Sequence, residues 1–318
     1  MASNVPQTIV LITGANQGIG FATAKQLLEY ENYHILLGSR DAERGSKAAA
    51  ELDPTGQRAE AITIDVTDDD SIEEAVRQIT SRHGRLDVLV NNAGINNELE
   101  LFFKQAEEAT KGKDEEKKPD LATLRAQAQK LTQMKPKLAT LRQLYRDAYE
   151  VNLFGAAIVT EACTPLLEKA VAGPARIVFV SSHTGSMGLR VDKNGPEWEK
   201  WSQPSFPIYR SSKAALNFLT LHFAAKFNEK GWKVNAASPN LTATNFSRGN
   251  GRPASESAVN IVRLATLSSD GDTGTYSDEN GAVPWLHYVL EKYQILLGYF
   301  SGWRVLSRQK SLGSLGEA

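Results

Sequence analysis

The chain has 318 residues, of which 41% are hydrophobic and 23% charged, a composition typical of one large globular domain with additions. Its formal net charge of -1 gives no electrostatic reason to expect nucleic acid as a main partner. The single cysteine, Cys163, excludes an intramolecular disulfide and favours a reducing, cytoplasmic location. No basic region precedes the first apolar stretch, which is therefore predicted to be a β-strand and not a signal peptide.

Short apolar runs alternate with segments of helical periodicity along most of the chain. The predicted strands cover residues 8–13, 34–39, 61–66, 86–91, 176–181 and 233–237. The predicted helices cover residues 20–30, 44–52, 71–83, 148–168 and 209–229. Because the strands lack alternating polar residues, we expect a parallel sheet with helices on both faces. This pattern predicts an α/β fold with a doubly wound parallel sheet, the Rossmann fold, as a single domain over residues 1–285.

An insertion interrupts the pattern at residues 97–144. Its segment 111–120 has four basic and four acidic side chains and is expected to be a solvated linker. Two stretches with apolar residues at helical spacing follow, and Pro136 lies between them. We therefore expect a helical hairpin whose second helix continues into the helix at 148–168. The alternative is a surface excursion with no function of its own.

The C-terminal extension, residues 286–318, is rich in aromatic side chains. Its longest run without charge, residues 293–303, has about half of the roughly 20 residues that a transmembrane helix needs. We expect an amphipathic helix packed on the domain, followed by a disordered end. The alternative is attachment to a membrane surface through this helix.

The first predicted strand ends in TGANQGIG, which is a candidate phosphate-binding loop. Glycines in such a loop allow a tight turn, and the helix N-terminus that follows favours a pyrophosphate. The position between a strand and a helix strengthens this interpretation over a merely structural turn. The residues expected to contact a dinucleotide are Gly14, Asn16, Gln17, Gly18, Ile19 and Gly20.

Three motifs together make the chain resemble the classical short-chain dehydrogenase/reductases. They are the G-x-x-x-G-x-G loop, NNAG at 91–94 and YRSSK at 209–213. The resemblance covers residues 8–285 without the insertion, and it is closest to the carbonyl-reductase-like branch through TGANQGIG, GSRDAERG and GTYSDENGAVPW. The segment HILLGSRDAERG is similar to the corresponding segment of fungal members of the family. The family implies an oxidoreductase that acts on CH–OH and C=O groups with a nicotinamide cofactor.

The residue after the second strand favours NADP(H). An acidic residue there would bind the ribose hydroxyls of NAD, but here Ser39 is followed by Arg40. A guanidinium matches the 2′-phosphate of NADP in charge and geometry, whereas the alternative is that Arg40 only lies in solvent.

The resemblance also implies roles at the adenosine side of the cofactor. Asp65 would bind the adenine amino group, with Val66 beside the ring; the alternative for Asp65 is a cap for the helix at 71. Asn91 would brace the sheet. The adenosine side would be lined by Asn92, Ala93 and Gly94.

Tyr209 and Lys213 are four residues apart on a predicted helix and therefore share one face. Carbonyl reduction needs a proton donor, and a lysine charge beside a phenol favours its ionisation. The resemblance implies that Tyr209 is the acid, that Lys213 also binds the nicotinamide ribose, and that both contact the cofactor. It further implies that Ser182, and not Ser181, orients the carbonyl, and that Asn152 holds a water in a proton relay.

After the sixth strand the family usually has P-G-x-x-x-T, whereas this chain has Asn240 in place of the glycine. Asparagine tolerates left-handed backbone angles, so the turn is expected to survive. Thr242 and Thr244 are candidates for contacts with the carboxamide and the pyrophosphate. The five histidines are dispersed along the chain, and no metal is expected: His34, His83, His183, His222 and His287.

These residues predict an NADPH-dependent carbonyl reductase, or an alcohol dehydrogenase in the reverse direction. Trp198, Trp201 and Phe206 favour a bulky, apolar, small-molecule carbonyl substrate, although core packing explains them equally well. The alternative is a non-catalytic NADP(H) sensor or scaffold, which would not need the acid.

Insertions precede both helices that pair in dimeric and tetrameric members of the family, so the resemblance favours a monomer. The apolar stripe within 121–141 favours a dimer instead.

Overall fold

The computed structural model describes residues 6–101, 104, 138–196, 198–203 and 205–285. Within these residues, one sheet contains eight strands in the order β3-β2-β1-β4-β5-β6-β7-β8. All neighbouring strands are parallel except β7 and β8. The strands are β1 (Thr8–Ile12), β2 (Tyr33–Ser39), β3 (Ala59–Thr63), β4 (Val88–Asn91), β5 (Arg176–Val180), β6 (Lys233–Ala237), β7 (Tyr276–Asp278) and β8 (Gly281–Ala282). The predicted α/β fold with a doubly wound parallel sheet is confirmed.

Helices cover both faces of the sheet. In the described part of the chain they are α1 (Gly18–Leu27), α2 (Ala42–Leu52), α3 (Asp69–His83), α4 (Leu138–Tyr149), α5 (Ala156–Leu167), α6 (Met187–Val191), α7 (Trp198–Trp201), α8 (Pro207–Lys226) and α9 (Ala254–Ala265). A π-helical turn, Glu150–Gly155, joins α4 to α5 without a break. The second helix of the predicted insertion thus continues into the core helix, as expected.

The core lies on both sides of the sheet because alternate residues of a strand point to opposite faces. On β1, Leu11 belongs to one core cluster, whereas Val10 and Ile12 belong to the other. The first cluster is covered by α3, α5 and α8, and the second by α1, α2 and α9. Burial on both faces explains why the strands are apolar at nearly every position.

The strand order places a switch point between β1 and β4. The chain moves outward from β1 to β2 and β3, and then returns to the other side of β1 at β4. The loops at the carboxyl ends of β1 and β4 therefore diverge and leave a crevice, which is where such sheets bind ligands.

Helix caps explain why two helices begin earlier than their periodicity predicts. The Asp41 carboxylate accepts a hydrogen bond from the backbone N–H of Arg44, so α2 begins at Ala42. Asp68 accepts one from the N–H of Ser71, so α3 begins at Asp69. Residues that directly follow a cap belong to the helix even when they precede its first apolar position.

Several elements were not predicted. The third strand pairs over residues 59–63 and not 61–66. Ile64 and Val66, which extended the prediction, are buried but follow the last paired residue, Thr63. The π-helical turn interrupts the helix predicted at 148–168. The strands β7 and β8 are too short for a period to be recognised, and α6 and α7 have only five and four residues. The longer helix α9 was also missed.

The linker and first helix predicted in the insertion, residues 105–137, lie outside the described residues, as does the extension at 286–318. Among the described residues, no helix combines the length and the apolar character that crossing a bilayer requires.

Candidate active site

The glycine loop joins β1 to α1 and forms one end of a cleft. Gly14 and Gly18 both have φ of 61°, in the left-handed region that favours glycine. A Cβ atom at Gly14 would lie 3.0 Å from the Cα atom of Ala93, so the backbone leaves little room for a side chain. α1 begins without a side-chain cap and without an acidic residue in its first turn. The positive end of its dipole is therefore suited to an anion.

Gly20 lies behind this loop and not in the cleft. A Cβ atom there would be 2.5 Å from Nδ2 of Asn92. This Asn92 amide donates hydrogen bonds to the carbonyl oxygens of Thr13 (2.8 Å) and Gly14 (3.0 Å). The NNAG motif and Gly20 therefore fix the shape of the glycine loop together.

Asn91 has the bracing position that the resemblance implied. Its amide donates a 2.9 Å hydrogen bond to the hydroxyl of Thr160, which ties β4 to α5 in the buried core. Ala93 and Gly94, the last two residues of the motif, face the cleft.

The cleft has a volume of about 1400 Å³ and runs across the carboxyl ends of the strands. It brings together most of the predicted site residues. Those that line it are Gly14, Asn16, Gln17, Gly18, Ile19, Arg40, Asp65, Val66, Asn92, Ala93, Gly94, Ser182, Tyr209, Lys213, Thr242 and Thr244. Gly20 and Asn152 are not part of its lining.

Two guanidinium groups, of Arg40 and Arg44, lie at the end of the cleft beyond β2. Asp41 accepts hydrogen bonds from the backbone N–H (2.9 Å) and Nε (2.8 Å) of Arg44, and the first of these lowers the pKa of its carboxyl most. The acidic residue that directly follows Arg40 is thus engaged with Arg44, while Arg40 is exposed at the cleft. Sequence reasoning named Arg40 but missed Arg44.

Asp65 does not cap α3, so the alternative role considered for it was wrong. Asp68 is the cap, and its carboxylate accepts a 3.2 Å hydrogen bond from the N–H of Ser71. Asp65 instead accepts hydrogen bonds from the N–H (2.9 Å) and the hydroxyl (2.8 Å) of Thr67. These bonds hold the Asp65 carboxylate at the cleft wall next to Val66.

Tyr209 and Lys213 lie one turn apart near the start of α8, and Ser182 follows β5 opposite them. The Lys213 ammonium lies 5.9 Å from the centre of the Tyr209 ring and donates a 2.8 Å hydrogen bond to the Val180 carbonyl. Ser182 is near enough to Tyr209 to act on the pKa of its phenol, and the Ser182 hydroxyl lies 2.9 Å from that of Thr184. Ser181, by contrast, donates its hydroxyl to Asn217.

Asn152 lies in the π-helical turn and links the cleft floor to α8. Its Oδ1 accepts a hydrogen bond from the N–H of residue Ile95 (2.8 Å), and its Nδ2 donates to the carbonyl of Ile95 (2.9 Å) and to the hydroxyl of Ser212 (3.0 Å). Both amide protons are therefore used within the protein. A π-turn often marks a functional position in a helix. The water relay through Asn152 stays a prediction.

The turn after β6 has the conformation expected for its unusual sequence. Asn240 has φ of 61°, and its side-chain amide donates to the Glu279 carboxylate at 3.1 Å. Thr242 is buried, and its hydroxyl lies 2.6 Å from that of Ser257. Thr244 caps the short 3₁₀ turn Asn245–Ser247. Asparagine thus preserves the turn, and both threonines line the cleft.

Comparison with known proteins places this site in a family. A family model described as short chain dehydrogenase matches residues 8–116 and 120–253, which is most of the chain. The chain belongs to the short-chain dehydrogenase family.

Its relatives include fungal and plant enzymes. The short-chain dehydrogenase anuI of Penicillium roqueforti is 35% identical over 268 residues, which span 83% of this chain and 91% of that protein. Salutaridine reductase of Papaver bracteatum is 30% identical over 318 residues, spanning 87% and 98%. The likeness to fungal members is confirmed.

Solved structures show the same fold. The salutaridine reductase structure from Papaver somniferum has a TM-score of 0.62 at 27% identity and covers 85% of this chain and 99% of its own. The NADPH-bound carbonyl reductase from chicken fatty liver has a TM-score of 0.64 at 23% identity, covering 88% and 100%.

Burial sets the protonation of the two central groups of this short-chain dehydrogenase. Desolvation raises the pKa of Tyr209 to about 12, although the nearby Ser182 hydroxyl acts in the opposite direction. Desolvation lowers the pKa of Lys213 to about 8. At neutral pH the phenol is therefore protonated and the amine is mostly charged. The charge of Lys213 was expected to favour the phenolate, but burial has the larger effect on the pKa of Tyr209.

Glu98 supports the site from outside the cleft and was not predicted from the sequence. Its carboxylate accepts a 2.8 Å hydrogen bond from the backbone N–H of Tyr209, and burial raises its pKa. Phe206, which precedes α8, has φ of 54° and provides no side-chain cap. Glu98 thus caps the helix that carries Tyr209. No sequence signal links these residues, because they lie 111 positions apart.

His183, which was not expected to be a metal ligand, anchors one wall of the cleft. Its ring stacks on Trp201 with 5.3 Å between ring centres. Its Nδ1 lies 2.6 Å from the hydroxyl of Ser238, and its Nε2 lies 3.1 Å from the Asp278 carboxylate. Both ring nitrogens of His183 therefore have partners. The His183 ring in turn holds Trp201 in the cleft wall.

Proposed function

We propose that the protein is an NADP(H)-dependent carbonyl reductase that reduces a bulky, apolar ketone or aldehyde, or oxidises the alcohol in reverse. The observation that carries this proposal is the meeting of Ser182, Tyr209 and Lys213 in one cleft with the glycine loop. A protonated phenol beside a second hydroxyl matches the needs of a carbonyl that gains a proton. The reductase names of the plant relatives support this direction of reaction.

The residues of the cleft fit NADP(H). Gly14 and Gly18 leave an open cradle in front of the uncapped N-terminus of α1, which suits a pyrophosphate. Arg40 and Arg44 follow the carboxyl end of β2 and line the cleft there, where a 2′-phosphate would be bound. A volume of about 1400 Å³ exceeds a usual small-molecule pocket of roughly 300–1000 Å³, so it has room for a dinucleotide and a second molecule.

In this proposal each residue near the carbonyl has a separate task. NADPH, when bound, supplies the hydride that reaches the carbonyl carbon. Ser182 donates a hydrogen bond that orients the carbonyl oxygen, and Tyr209 transfers its hydroxyl proton to that oxygen. Lys213 holds the nicotinamide ribose with its charged amine and limits the cost of the phenolate that remains. Asn152 keeps α8 in register with the chain at Ile95.

The cleft walls favour an apolar substrate. Trp201 and Phe206 line one side, and Phe246 lies with its ring centre 5.8 Å from that of Tyr209. Aromatic rings around a proton donor bind a bulky hydrophobic compound and exclude water from the reacting oxygen. Trp198 of the sequence prediction lies on α7 but does not line the cleft.

A panel of ketones, aldehydes and quinones assayed with NADPH tests the activity, and Tyr209→Phe tests its chemistry. We expect Tyr209→Phe to lower kcat by about 10²–10⁴-fold, because acid catalysis contributes that much, while the Kd for NADPH stays nearly unchanged. Lys213→Ala should weaken both turnover and cofactor binding. Tyr30→Phe, at an exposed tyrosine that precedes β2 and does not line the cleft, is the matched control.

Two results would count against the proposal. Tyr209→Phe with more than about a tenth of the original activity would remove Tyr209 as the acid. Tight NADPH binding without turnover of any compound in the panel would favour a cofactor sensor or scaffold instead.

A further inference from the structure

Three side chains with metal-binding chemistry meet at the edge of the sheet opposite to the cleft. His34 is the second residue of β2, Glu60 is the second residue of β3, and His83 is the last residue of α3. The cleft lies across the carboxyl ends of these parallel strands, whereas His34 and Glu60 lie near their amino ends. The cluster therefore plays no part in the chemistry proposed above.

The three potential ligand atoms lie close to one another. Nε2 of His34 lies 3.2 Å from Oε1 of Glu60, and Nε2 of His83 lies 2.6 Å from the same oxygen. All three atoms lie within 4.8 Å of one another. Ligands about 2.0–2.2 Å from a tetrahedral Zn²⁺ are themselves about 3.3–3.5 Å apart, so shifts of roughly 1 Å would complete the arrangement.

We propose that His34, Glu60 and His83 form a binding site for a divalent transition-metal ion, with Zn²⁺ as the best match. Two imidazoles and one carboxylate are a known protein ligand set for zinc, in which water occupies the fourth position. The three side chains retain 11%, 25% and 14% of their exposure, so an ion and its water can reach the site. Mg²⁺ prefers an all-oxygen octahedral shell and is not expected to bind here.

Arg82 sets the geometry and the strength of this site. Its guanidinium donates a 2.6 Å hydrogen bond to Oε2 of Glu60, which leaves Oε1 directed at the two histidines. Outer contacts of this kind orient a ligating carboxylate. The positive charge of Arg82 also opposes the binding of a cation, so the affinity is expected to be moderate. The rings of His34 and His83, with centres 4.9 Å apart, are held by separate elements.

A bound ion would connect three elements that the chain reaches at distant positions. It would join the starts of β2 and β3 to the end of α3, and thus stabilise the edge of the sheet that β3 and β2 form. Because the ion binds the folded state and not a preformed site in the unfolded chain, Zn²⁺ should raise the melting temperature.

Calorimetric titration of the tag-free full chain with ZnCl₂ tests the proposal directly. We expect saturation at one Zn²⁺ per chain, and affinity at least about tenfold weaker in His83→Ala and in Glu60→Gln. His222→Ala, at an exposed histidine on α8, is the matched control and should bind as the unchanged protein does. Equal binding in all four proteins, or no saturable binding in the unchanged one, overturns the site.

A second measurement needs no variant and no activity. Co²⁺ added to the unchanged protein should give the visible absorption bands of a four- or five-coordinate ion, and Zn²⁺ should displace them. The melting temperature should rise with Zn²⁺ and not with Mg²⁺. A Co²⁺ spectrum identical to that of the hydrated ion would show that the three side chains form only a hydrogen-bonded cluster.

Discussion

At the scale of single residues, the cleft holds a neutral phenol beside a lysine that loses its proton easily. Burial lowers the pKa of Lys213 to about 8, whereas that of an exposed lysine is about 10.4. The charged amine is therefore present below this pH and is lost as pH rises through about 8. Tyr209, with a pKa of about 12, stays protonated throughout this range.

We therefore predict that kcat/KM for carbonyl reduction is level below about pH 8 and falls above it as Lys213 loses its charge. A pH profile measured with saturating NADPH checks this. An arginine keeps its charge over the whole range, so the residual kcat/KM of Lys213→Arg should no longer fall above about pH 8. An unchanged fall in this variant would assign it to another group.

A second prediction for a single residue concerns Arg40 and the choice between NADPH and NADH. We expect NADPH to be preferred over NADH, and Arg40→Asp to reduce the preference by about tenfold or more, because a charge-assisted pair contributes roughly 1.5–3 kcal/mol. Lys47→Asp makes the same charge change at an exposed position of α2 and should leave the preference intact. Equal use of both cofactors by the unchanged protein would contradict the assignment to Arg40. Arg44 would then be the next residue to test.

At the scale of elements, the contact between the start of the insertion and α8 bears on catalysis. Glu98 caps the helix of Tyr209 from a segment that otherwise looks peripheral. Loss of a cap typically costs about 1 kcal/mol and frees the first turn of the helix. The position of the Tyr209 hydroxyl therefore depends on a residue that does not itself line the cleft.

We predict that Glu98→Ala lowers the melting temperature by about 2–4 °C and lowers kcat more than it raises KM. Glu98→Gln keeps an oxygen that accepts the same hydrogen bond and should restore most of both. Glu51→Ala, at an exposed carboxylate on α2 that does not line the cleft, provides the control. A purely structural role would lower the melting temperature of Glu98→Ala while leaving its kcat unchanged.

The elements also show what the sequence can and cannot predict. Each central strand is recognisable in the sequence because burial on both faces demands apolar residues, as in β1. The glycine loop is recognisable because Gly14 and Gly18 have left-handed backbone angles that favour glycine. The strands β7 and β8 were missed because their pairing depends on neighbours and not on any period of their own. Glu98 and the pair His34 and His83 act through contacts between distant segments, which no local pattern records.

At the scale of the whole molecule, one face of the described structure carries exposed apolar side chains. Phe154 and Ile158 lie on the π-turn and α5, with 45% and 41% exposure, and Phe218 and Leu221 lie on α8, with 74% and 37%. Several large apolar side chains on two adjacent helices usually indicate a surface that is covered in the folded protein. A second copy of the chain that docks on these two helices would bury those side chains.

We predict that the full chain is a monomer, because an insertion begins and ends beside this face. Both ends of the insertion are held beside α8, since Glu98 caps that helix and Asn97 donates a 2.7 Å hydrogen bond to the Leu144 carbonyl of α4. Light scattering should give a mass near 34.8 kDa at micromolar concentration. Replacing residues 105–137 with a short polar linker should produce a dimer, and adding Phe218→Glu to that deletion should return the monomer. A stable dimer of the full chain, or a deletion variant that stays monomeric, would contradict the prediction.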